Sequence, residues 1–307
     1  MSLRRVAVVS AALVAFSGSW PSMSAAQPST HVVYVSASAK SGGPVADLQP
    51  SDIELKVNGK KQEVLSVRPA TAPLRIALVD SDGGTGAFQL AIARFMQRLL
   101  GHAEFALTSV IRQPERIVDY AADAPTLSAG VSRLGARGRD RGAQLMEAIV
   151  DAVKDVRVEG KRPVIVVMRI GGENASELSG KDVREQLEKS GAILYVMSTL
   201  GAQRPVPSQI RGSDAVSVQQ GQLHDAEYAE AANNLAQVLG DGSKDSGGRN
   251  EQIISTTLVP MLESVADELL HQYAVTYSVA EGAKPGDKLS VSSKRKDVSL
   301  HAPARLP

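Results

Sequence analysis

The stretch that decides the fold is Thr71-Ala-Pro-Leu-Arg-Ile-Ala-Leu-Val-Asp80-Ser-Asp-Gly-Gly-Thr-Gly-Ala-Phe-Gln-Leu-Ala-Ile-Ala-Arg-Phe-Met-Gln-Arg-Leu-Leu100. Its first part, from Leu74 to Val79, is a short apolar run without alternation, typical of a parallel strand buried on both faces. An acidic, glycine-rich turn follows, and apolar residues then return at helical spacing. Strand, loop and helix in this order predict the opening unit of an open α/β sheet, whose ligands bind beyond the carboxyl ends of the strands.

Alternating segments on both sides of this unit predict the rest of the architecture. Residues 31–39, 53–57 and 62–67 have strand patterns, and Asn58-Gly59 is a strong hairpin signal between the last two. Downstream, core strands are predicted at 104–111, 162–168 and 192–197, with an antiparallel edge strand at 116–120. Helices are predicted at 124–134, 143–156, 183–189, 226–239 and 253–270, and a loop at 240–250. Alternating strands and helices imply a Rossmann-like, open, mostly parallel sheet with helices on both faces.

The turn after the first core strand carries a family resemblance. Asp80-Ser81-Asp82-Gly83-Gly84 resembles a degenerate metal-site loop of a von Willebrand factor type A domain, a family that has Asp-x-Ser-x-Ser at this place. From about Val32 to about Tyr277 the chain resembles the bacterial exported proteins called VWFA-related. The stretches that match in the N-terminal part are Gly43-Pro44-Val45, Asp47-Leu48, Asp52-Ile53-Glu54-Leu55 and Asn58-Gly59-Lys60.

This resemblance implies a domain organisation. A small β-module at 27–70 would precede a type A-like domain at 71–272. The strands of residues 273–307 would then rejoin the β-module, so that both ends of the chain build one β-subdomain.

The resemblance also implies where a metal ion would bind. The family supplies hard oxygen ligands from three loops, which suit a divalent cation such as Mg²⁺ or Ca²⁺. Here the first loop keeps Asp80 but has Asp82 and Gly84 in place of two serines. Ala143 replaces a threonine in the second loop, and Ile170, next to Arg169, replaces the aspartate of the third. Because three of five side-chain oxygens are lost beside a cation, we expect no metal and no other cofactor.

Two interpretations of the acidic turn remain open. In the favoured one, Asp80 and Asp82 cap the following helix, and one of them pairs with Arg169. The alternative is an atypical cation cage built from Asp80, Asp82, Asp140 and Glu173, whose loops belong to the same edge of the sheet.

Composition and motifs argue against other classes of function. The chain has 34 Lys and Arg against 33 Asp and Glu, a balance that disfavours nucleic acid as a partner. It contains no cysteine, and its five histidines are scattered without metal spacing. Ser81 lies in no Gly-x-Ser-x-Gly elbow, and Gly83-Gly84-x-Gly86 lacks the spacing of a dinucleotide loop. We therefore expect a protein that is not an enzyme.

The first 26 residues predict export. Arg4 and Arg5 precede an apolar run from Val6 to Phe16, and Ser24-Ala25-Ala26 has the small-x-small pattern of a cleavage site. A membrane anchor is the alternative, although the apolar run is too short to span a bilayer comfortably. We expect a secreted or periplasmic protein, cleaved near Ala26, with no membrane span afterwards.

The predicted function is an exported, non-enzymatic protein-binding module of the adhesion or scaffold kind, whose partner is unidentified. The alternative is a metal-dependent adhesion module with an atypical cation site. The partner surface would be the apical edge, defined here as residues 80–86, 137–142 and 171–176. Its candidate contact residues are Asp80, Ser81, Asp82, Gly83, Arg139, Asp140, Arg169 and Glu173. The arginines at 137, 139 and 141 would contact an anion or acidic partner, or simply form a solvated loop.

Overall fold

The computed structural model describes residues 29–135, 143–172, 174–199, 215–254, 256–279 and 283–306. The strands in these ranges are β1 (Ser29–Ala39), β2 (Ile53–Val57), β3 (Lys60–Gln62), β4 (Val64–Pro69), β5 (Leu74–Ser81), β6 (Ala103–Val110), β7 (Pro114–Ala121), β8 (Arg162–Arg169), β9 (Ile193–Thr199), β10 (Arg249–Ile253), β11 (Tyr273–Val279), β12 (Leu289–Ser293) and β13 (Val298–His301). The α-helices are α1 (Gln89–Leu99), α2 (Ala124–Ser132), α3 (Leu145–Val156), α4 (Gly180–Ser190), α5 (Ala215–Ala236), α6 (Ser243–Asp245) and α7 (Leu258–Leu270). A π-helical segment, Gln237–Gly242, joins α5 to α6.

The apolar run that opens the α/β domain forms β5, near the centre of a six-stranded sheet. The sheet order is β10-β9-β8-β5-β6-β7, in which only β7 runs antiparallel to its neighbour. Numbered along the domain, this is the 3-2-1-4-5-6 order of doubly wound folds, read from β7 to β10. The predicted fold class is therefore confirmed.

The side chains of β5 alternate between two apolar cores. Ile76 and Leu78 enter the core covered by α1, α2 and α7, whereas Ala77 and Val79 enter the core covered by α3, α4 and α5. All four are almost fully buried. Burial of each large apolar side chain stabilises the fold by about 1.5–3 kcal/mol, which explains why this run can hold the centre of the sheet.

Strands from both ends of the chain build a separate β-sandwich. One sheet has the order β13-β1-β11-β4 and the other β12-β2-β3, and both contribute to one apolar core. The predicted hairpin at Asn58-Gly59 joins β2 to β3, with φ values of 49° and 80° at these two residues. Both values lie in the left-handed region that a two-residue hairpin of this type requires. The expected β-subdomain of N- and C-terminal strands is thus confirmed.

A buried arginine connects the sandwich to the α/β domain. Arg162, at the start of β8, donates hydrogen bonds to the carbonyls of Ala72 and Leu269 and to Oε1 of Gln272. Gln272 in turn donates to the hydroxyl of Ser36 in β1 at 3.2 Å. Burial lowers the pKa of Arg162 from its usual value. Because a buried cation needs all these acceptors, its contacts fix how the two parts meet.

Two expectations about the C-terminal half were wrong. Residues 240–250 were expected to form a loop, but they hold the end of the π-helical segment, α6 and the start of β10. The helix expected at 253–270 begins only at Leu258, because Arg249–Ile253 form the edge strand β10 beside β9. An edge strand with one buried residue, Ile253, lacks the apolar pattern that marks the other core strands.

Smaller differences concern element boundaries. The returning strand expected at 62–67 is divided into β3, which pairs with β2, and β4, which pairs with β11. The helix expected at 226–239 is longer, since α5 begins at Ala215. The N-cap of α2 is Asp123, whose carboxylate accepts the N–H of Thr126 at 2.9 Å. Among the described helices, none is both long and apolar enough to cross a bilayer.

Candidate functional site

The acidic turn lies at the carboxyl end of β5, where the sequence analysis places the apical edge. Asp80 and Ser81 are the last residues of β5 and are buried. Gly83 and Gly84 follow with φ values of 70° and 76°, so the chain turns sharply in the left-handed region before α1 begins at Gln89. Glycine adopts this region at little cost, which is why two consecutive glycines suit the turn.

The carboxylate of Asp82 organises this turn. Its Oδ1 accepts the N–H groups of Gly84 at 2.8 Å and Thr85 at 3.2 Å. Its Oδ2 accepts the N–H of Ala87 at 2.7 Å and the hydroxyl of Thr85 at 3.0 Å. The helix itself begins after Phe88, which provides no side-chain cap. The expectation that Asp82 caps the helix is therefore corrected, since Asp82 holds the preceding loop.

The carboxylate of Asp80 has an unusual environment. It is 1% exposed, and within the part of the chain that the structure describes neither of its oxygens has a hydrogen-bond partner. Burial, and secondarily the charge of Asp82, raises its pKa from 3.8 to about 8. Asp80 therefore neither caps α1 nor pairs with Arg169, and both expectations for this residue were wrong. At neutral pH the group is mostly a neutral carboxylic acid.

Ser109 lies beside Asp80 on the neighbouring strand. The two residues are paired in register between β5 and β6. Leu78 and Leu107, two positions earlier on the same strands, point into the core covered by α1 and α2, so Asp80 and Ser109 point to that side too. The Ser109 hydroxyl is also buried without a hydrogen-bond partner. Sequence analysis missed Ser109, whose only signal was its place at the end of a core strand.

The third loop begins with a buried arginine. Arg169 is the last residue of β8 and is 7% exposed. Its Nη2 donates to the carbonyl of Gly172 at 2.8 Å. Ile170 follows, and its N–H donates to the carbonyl of Ser81, which ties the first loop to the third. Ile170 packs against the apolar core, so the position of the family's third-loop carboxylate is occupied by a hydrocarbon side chain.

The second and third loops are joined through Ala143 and Asn174. These residues form an isolated parallel bridge, and the N–H of Ala175 donates to the carbonyl of Ala143 at 3.1 Å. The side-chain amide of Asn174 donates to the carbonyl of Ala231 in α5. Asn174 begins a sequon-like Asn-Ala-Ser, but its buried, hydrogen-bonded amide is inaccessible for glycosylation in the folded protein.

The described residues of this edge offer few free oxygens to a divalent cation. Asp82 uses both carboxylate oxygens within its own turn, Ala143 offers no side-chain oxygen, and Arg169 brings a positive charge. Within the described residues, the buried side-chain oxygens without a hydrogen bond at the carboxyl ends of the core strands belong to Asp80, Ser109 and Ser198, which is fewer than the octahedral shell of Mg²⁺ needs without other ligands. Within the described ranges, no group of three or more His, Cys, Asp or Glu side chains could hold a metal ion.

The structure brings together the candidate residues Asp80, Ser81, Asp82, Gly83 and Arg169. Three further candidates, Arg139, Asp140 and Glu173, lie outside the residues that the structure describes, as do the arginine cluster at 137–141 and the predicted signal peptide. The alternative cage of four carboxylates therefore stays a hypothesis, because two of its members, Asp140 and Glu173, are not described. For Asp80 and Asp82, the hydrogen bonds show two different environments rather than a shared one.

Asp80 and Ser109 are both buried. Both are at most 2% exposed, so a substrate could not reach their oxygens without a rearrangement of the loops. A raised carboxyl pKa is common at active sites, but here burial alone is its main cause.

Comparisons with known proteins find similarity only among solved structures. No protein-family model matches the chain, and no curated protein matches it. Among the similar structures is a von Willebrand factor type A protein from Catenulispora acidiphila, with 10% identity and a TM-score of 0.40. That match covers 91% of this chain and 73% of the other.

Two further structures show the same level of similarity. The von Willebrand factor domain of the type V pili tip protein Mfa5 from Porphyromonas gingivalis has 10% identity and a TM-score of 0.43, over 64% of this chain and 95% of its own. Proximal thread matrix protein 1 from the mussel byssus has 7% identity and a TM-score of 0.46, over 66% of this chain. The chain spans about half the length of the mussel protein, of which 49% is covered.

Similarity at this distance transfers no binding partner and no metal site to this chain. The fold is established by the chain's own topology: strand order 3-2-1-4-5-6, an antiparallel third strand and helices on both faces of the sheet. The α/β domain of this chain has a doubly wound, Rossmann-like fold, and von Willebrand factor type A domains are among the structures to which it is similar at this low level.

Proposed function

We propose that this chain is an exported, non-enzymatic protein-binding module whose apical edge contacts its partner without a metal ion. The observation that carries the proposal is the state of the three apical loops. Both carboxylate oxygens of Asp82 accept hydrogen bonds within their own turn, Ala143 has no side-chain oxygen, and Ile170 packs against the apolar core. These three positions would have to supply oxygens in a metal-dependent site.

The backbone of the apical edge supports a contact role. The first loop is tied to the third through Ser81 and Ile170, and the third to the second through Ala143 and Ala175. The described residues of the first and third loops, held to each other in this way, present a pre-organised surface, which reduces the entropy lost when a partner binds. Export rests on the sequence pattern of the first 26 residues.

The metal-free part of the proposal is tested by thermal melting of the purified protein in EDTA and in millimolar Mg²⁺, Mn²⁺ or Ca²⁺. We expect coincident curves. A cation at one hundred times its dissociation constant would stabilise the native state by about 2.7 kcal/mol and raise the melting temperature by several degrees. A rise of that size that disappears in Asp80→Ala would contradict the proposal.

The binding part is tested with matched surface variants. Ala87 is exposed directly after the first apical loop, and Ser292 is exposed on the β-sandwich. Proteins captured by the wild type from the exported fraction of its source would be identified and their binding measured again. We expect Ala87→Arg to weaken the interaction at least tenfold and Ser292→Arg to leave it unchanged. Equal binding by both variants would exclude the first apical loop as a contact.

One observation favours the alternative, a metal-dependent adhesion module. Asp80 and Ser109 are neighbouring buried oxygens without hydrogen-bond partners, and a cation would give both of them a ligand role. The same melting experiment separates the two functions, because only the alternative predicts a cation-dependent shift that requires Asp80.

A further inference from the structure

Seven of the eleven residues of strand β1 have no described strand beside one of their two edges. Its residues Ser29–Val35 pair with β11 on one side, but only Ser36–Ala39 pair with β13 on the other. Within the described part of the chain, no strand lies beside Ser29–Val35 on the β13 side. The sheet therefore has a gap one strand wide, in line with β13.

The backbone groups that face this gap follow from the hydrogen-bond pattern. In an antiparallel pair, residues alternate between exchanging hydrogen bonds with the partner and pointing away from it. The N–H of Ser278 in β11 donates to the carbonyl of Glu63, on the side away from β1. Its register partner Thr30 must therefore point away from β11 as well. By alternation, Thr30, Val32 and Tyr34 direct their N–H and C=O groups into the gap.

The other end of β1 agrees with this assignment. The N–H of Lys40 donates to the carbonyl of Asp297, immediately before β13. Lys40 is also an even-numbered position of the same extended segment. The even-numbered residues of β1 thus face the β13 side along its whole length.

The gap persists because the chain after β13 is directed elsewhere. Pro303, which has no N–H, follows two residues after the end of β13 and cannot donate to β1. The N–H of Ala304 instead donates to the carbonyl of Asp245 at 2.7 Å. Gly247 approaches this segment so closely that a Cβ there would lie 2.6 Å from the carbonyl carbon of Ala302. The C-terminal segment is therefore held between Asp245 of the α/β domain and the start of β12, whose Leu289 donates its N–H to the carbonyl of Ala304, and it does not continue as a strand along β1. Pro303 lines the groove beside β1.

A groove of about 550 Å³ runs beside the open edge. One wall is β1 itself, including Val32, which is 52% exposed. The opposite wall is the loop before β8, including Val158, which is 39% exposed, together with Pro163 at the start of β8. The groove thus has an exposed valine on each wall, and the unpaired backbone groups of β1 lie beside it. An added strand would find both of its needs here, because it gains main-chain hydrogen bonds and buries alternate side chains.

The charges of the groove favour an acidic partner. Its lining carries Arg157, Lys161 and Arg162 against a single carboxylate, Glu159. Arg162 is satisfied by buried acceptors, and Lys161 pairs with Glu104 at 2.7 Å. Arg157 is exposed and donates to a backbone carbonyl, so its charge is not neutralised by an acidic side chain.

We propose that the open edge of β1 binds an extended segment of a protein partner as an added strand. An apolar side chain of that segment would lie between Val32 and Val158, and an acidic one would face Arg157. The groove adjoins the amino end of β8, whereas the apical edge lies at the carboxyl ends of β5 and β8. The proposal thus adds a second surface, independent of the apical function.

The probe is a synthetic peptide of six alternating valine and threonine residues with an added N-terminal glutamate. Two derivatives are compared with it: one is N-methylated on the valines and the other on the threonines. Affinity is measured by fluorescence anisotropy, and amide hydrogen exchange by NMR. We expect the parent peptide to slow exchange at Thr30, Val32 and Tyr34. Because one edge of the peptide faces β1, one N-methylated derivative should lose at least tenfold in affinity and the other should not.

Two variants of the protein complete the test. Val32→Pro removes an N–H that faces the gap and keeps every hydrogen bond to β11, so it should weaken binding at least tenfold without preventing folding. If that variant does not fold, Val32→Lys is compared with Leu65→Lys, a change at a similarly exposed position on β4. We expect only the change at Val32 to weaken binding.

Three results would overturn the proposal. The first is equal binding of both N-methylated peptides, and the second is slower hydrogen exchange on peptide binding at amides outside β1. The third is slow exchange at Thr30, Val32 and Tyr34 in the free protein, together with sedimentation as a dimer. The last would mean that a second copy of the chain covers this edge.

Discussion

The protonation of Asp80 makes the stability of this protein fall as the pH rises through the neutral range. The folded-state pKa is about 8, against an ordinary value of 3.8. Between these two values the folded protein holds a proton that the unfolded chain has released. The free energy of unfolding therefore decreases with increasing pH in this window, the opposite of the usual behaviour of a salt-bridged carboxylate.

The magnitude follows from the size of the shift. Each pH unit inside the window changes the free energy of unfolding by about 1.4 kcal/mol for one proton. From pH 4 to pH 7 the contribution of Asp80 is therefore a loss of about 4 kcal/mol. That is a large part of the 5–15 kcal/mol typical of a folded protein, so it is measurable.

The decisive perturbation is Asp80→Asn. Asparagine has the same shape and stays neutral at every pH, so it removes the cost of ionising a buried group. At pH 4.5 we expect the variant to be less stable than the wild type by up to about 2 kcal/mol, because its amide hydrogens lack partners at every pH. At pH 7.5 we expect the variant to be more stable by about 2–4 kcal/mol, less than the full amount because its amide hydrogens also lack partners.

The assay is urea unfolding in EDTA at several pH values between 4.5 and 7.5, with the slope against denaturant checked for constancy. Asp123→Asn is the matched control, because the hydrogen bond from Thr126 lowers the pKa of Asp123. Its contribution to stability is lost as the pH falls, with the opposite sign. Parallel pH profiles for the wild type and Asp80→Asn would refute the reasoning, since they would mean that Asp80 is ionised and paired in the folded protein.

Three further predictions concern positions that hold the fold around the two proposed surfaces. Asp82→Ala removes the acceptor of four hydrogen bonds in the first apical loop and should cost about 2–4 kcal/mol in urea unfolding, without any dependence on added cations. Arg162→Ala leaves buried carbonyls unpaired and should cost about 3–5 kcal/mol; a cost below 1 kcal/mol would show that the arginine does not join the two parts. Gly247→Ala should cost more than Gly160→Ala, since both residues have positive φ but only the former meets backbone atoms, and equal costs by thermal melting would contradict the close approach.

The central strands could be predicted from the sequence because their apolar runs reflect burial on both faces. Val164 to Met168 is one such run, and all of it is buried. β10 could not be predicted, because an edge strand next to β9 needs no such run and Arg249–Ile253 contain one buried apolar residue. The pattern in the sequence follows burial, so it is weakest where a strand has one neighbour.

The candidate site divides in the same way. The position of Asp80 at the end of a core strand followed from the order of strand and loop. Its lack of a hydrogen-bond partner could not be predicted. The strand order places Arg169 at the same edge of the sheet, but the Nη2 of Arg169 donates to the carbonyl of Gly172 instead. The role of Asp82 depends on the path of the turn, which two glycines with positive φ determine. Ser109 had no distinguishing signal, since its significance lies in the register between β5 and β6.

The pairing of β4 with β11 has a consequence for how the α/β domain and the sandwich can be separated into independent proteins. Pro69 and Tyr273 are register partners, and the N–H of Ala70 donates to the carbonyl of Gln272 at 2.8 Å. The α/β domain therefore leaves and rejoins the sandwich at one point, as an insertion between two adjacent strands. A short turn could replace it without moving either strand, and the excised domain could be expressed with its two ends close together. Mechanical load carried by the sandwich would bypass the α/β domain, because the hydrogen bonds between β4 and β11 transmit the load directly from one strand to the other.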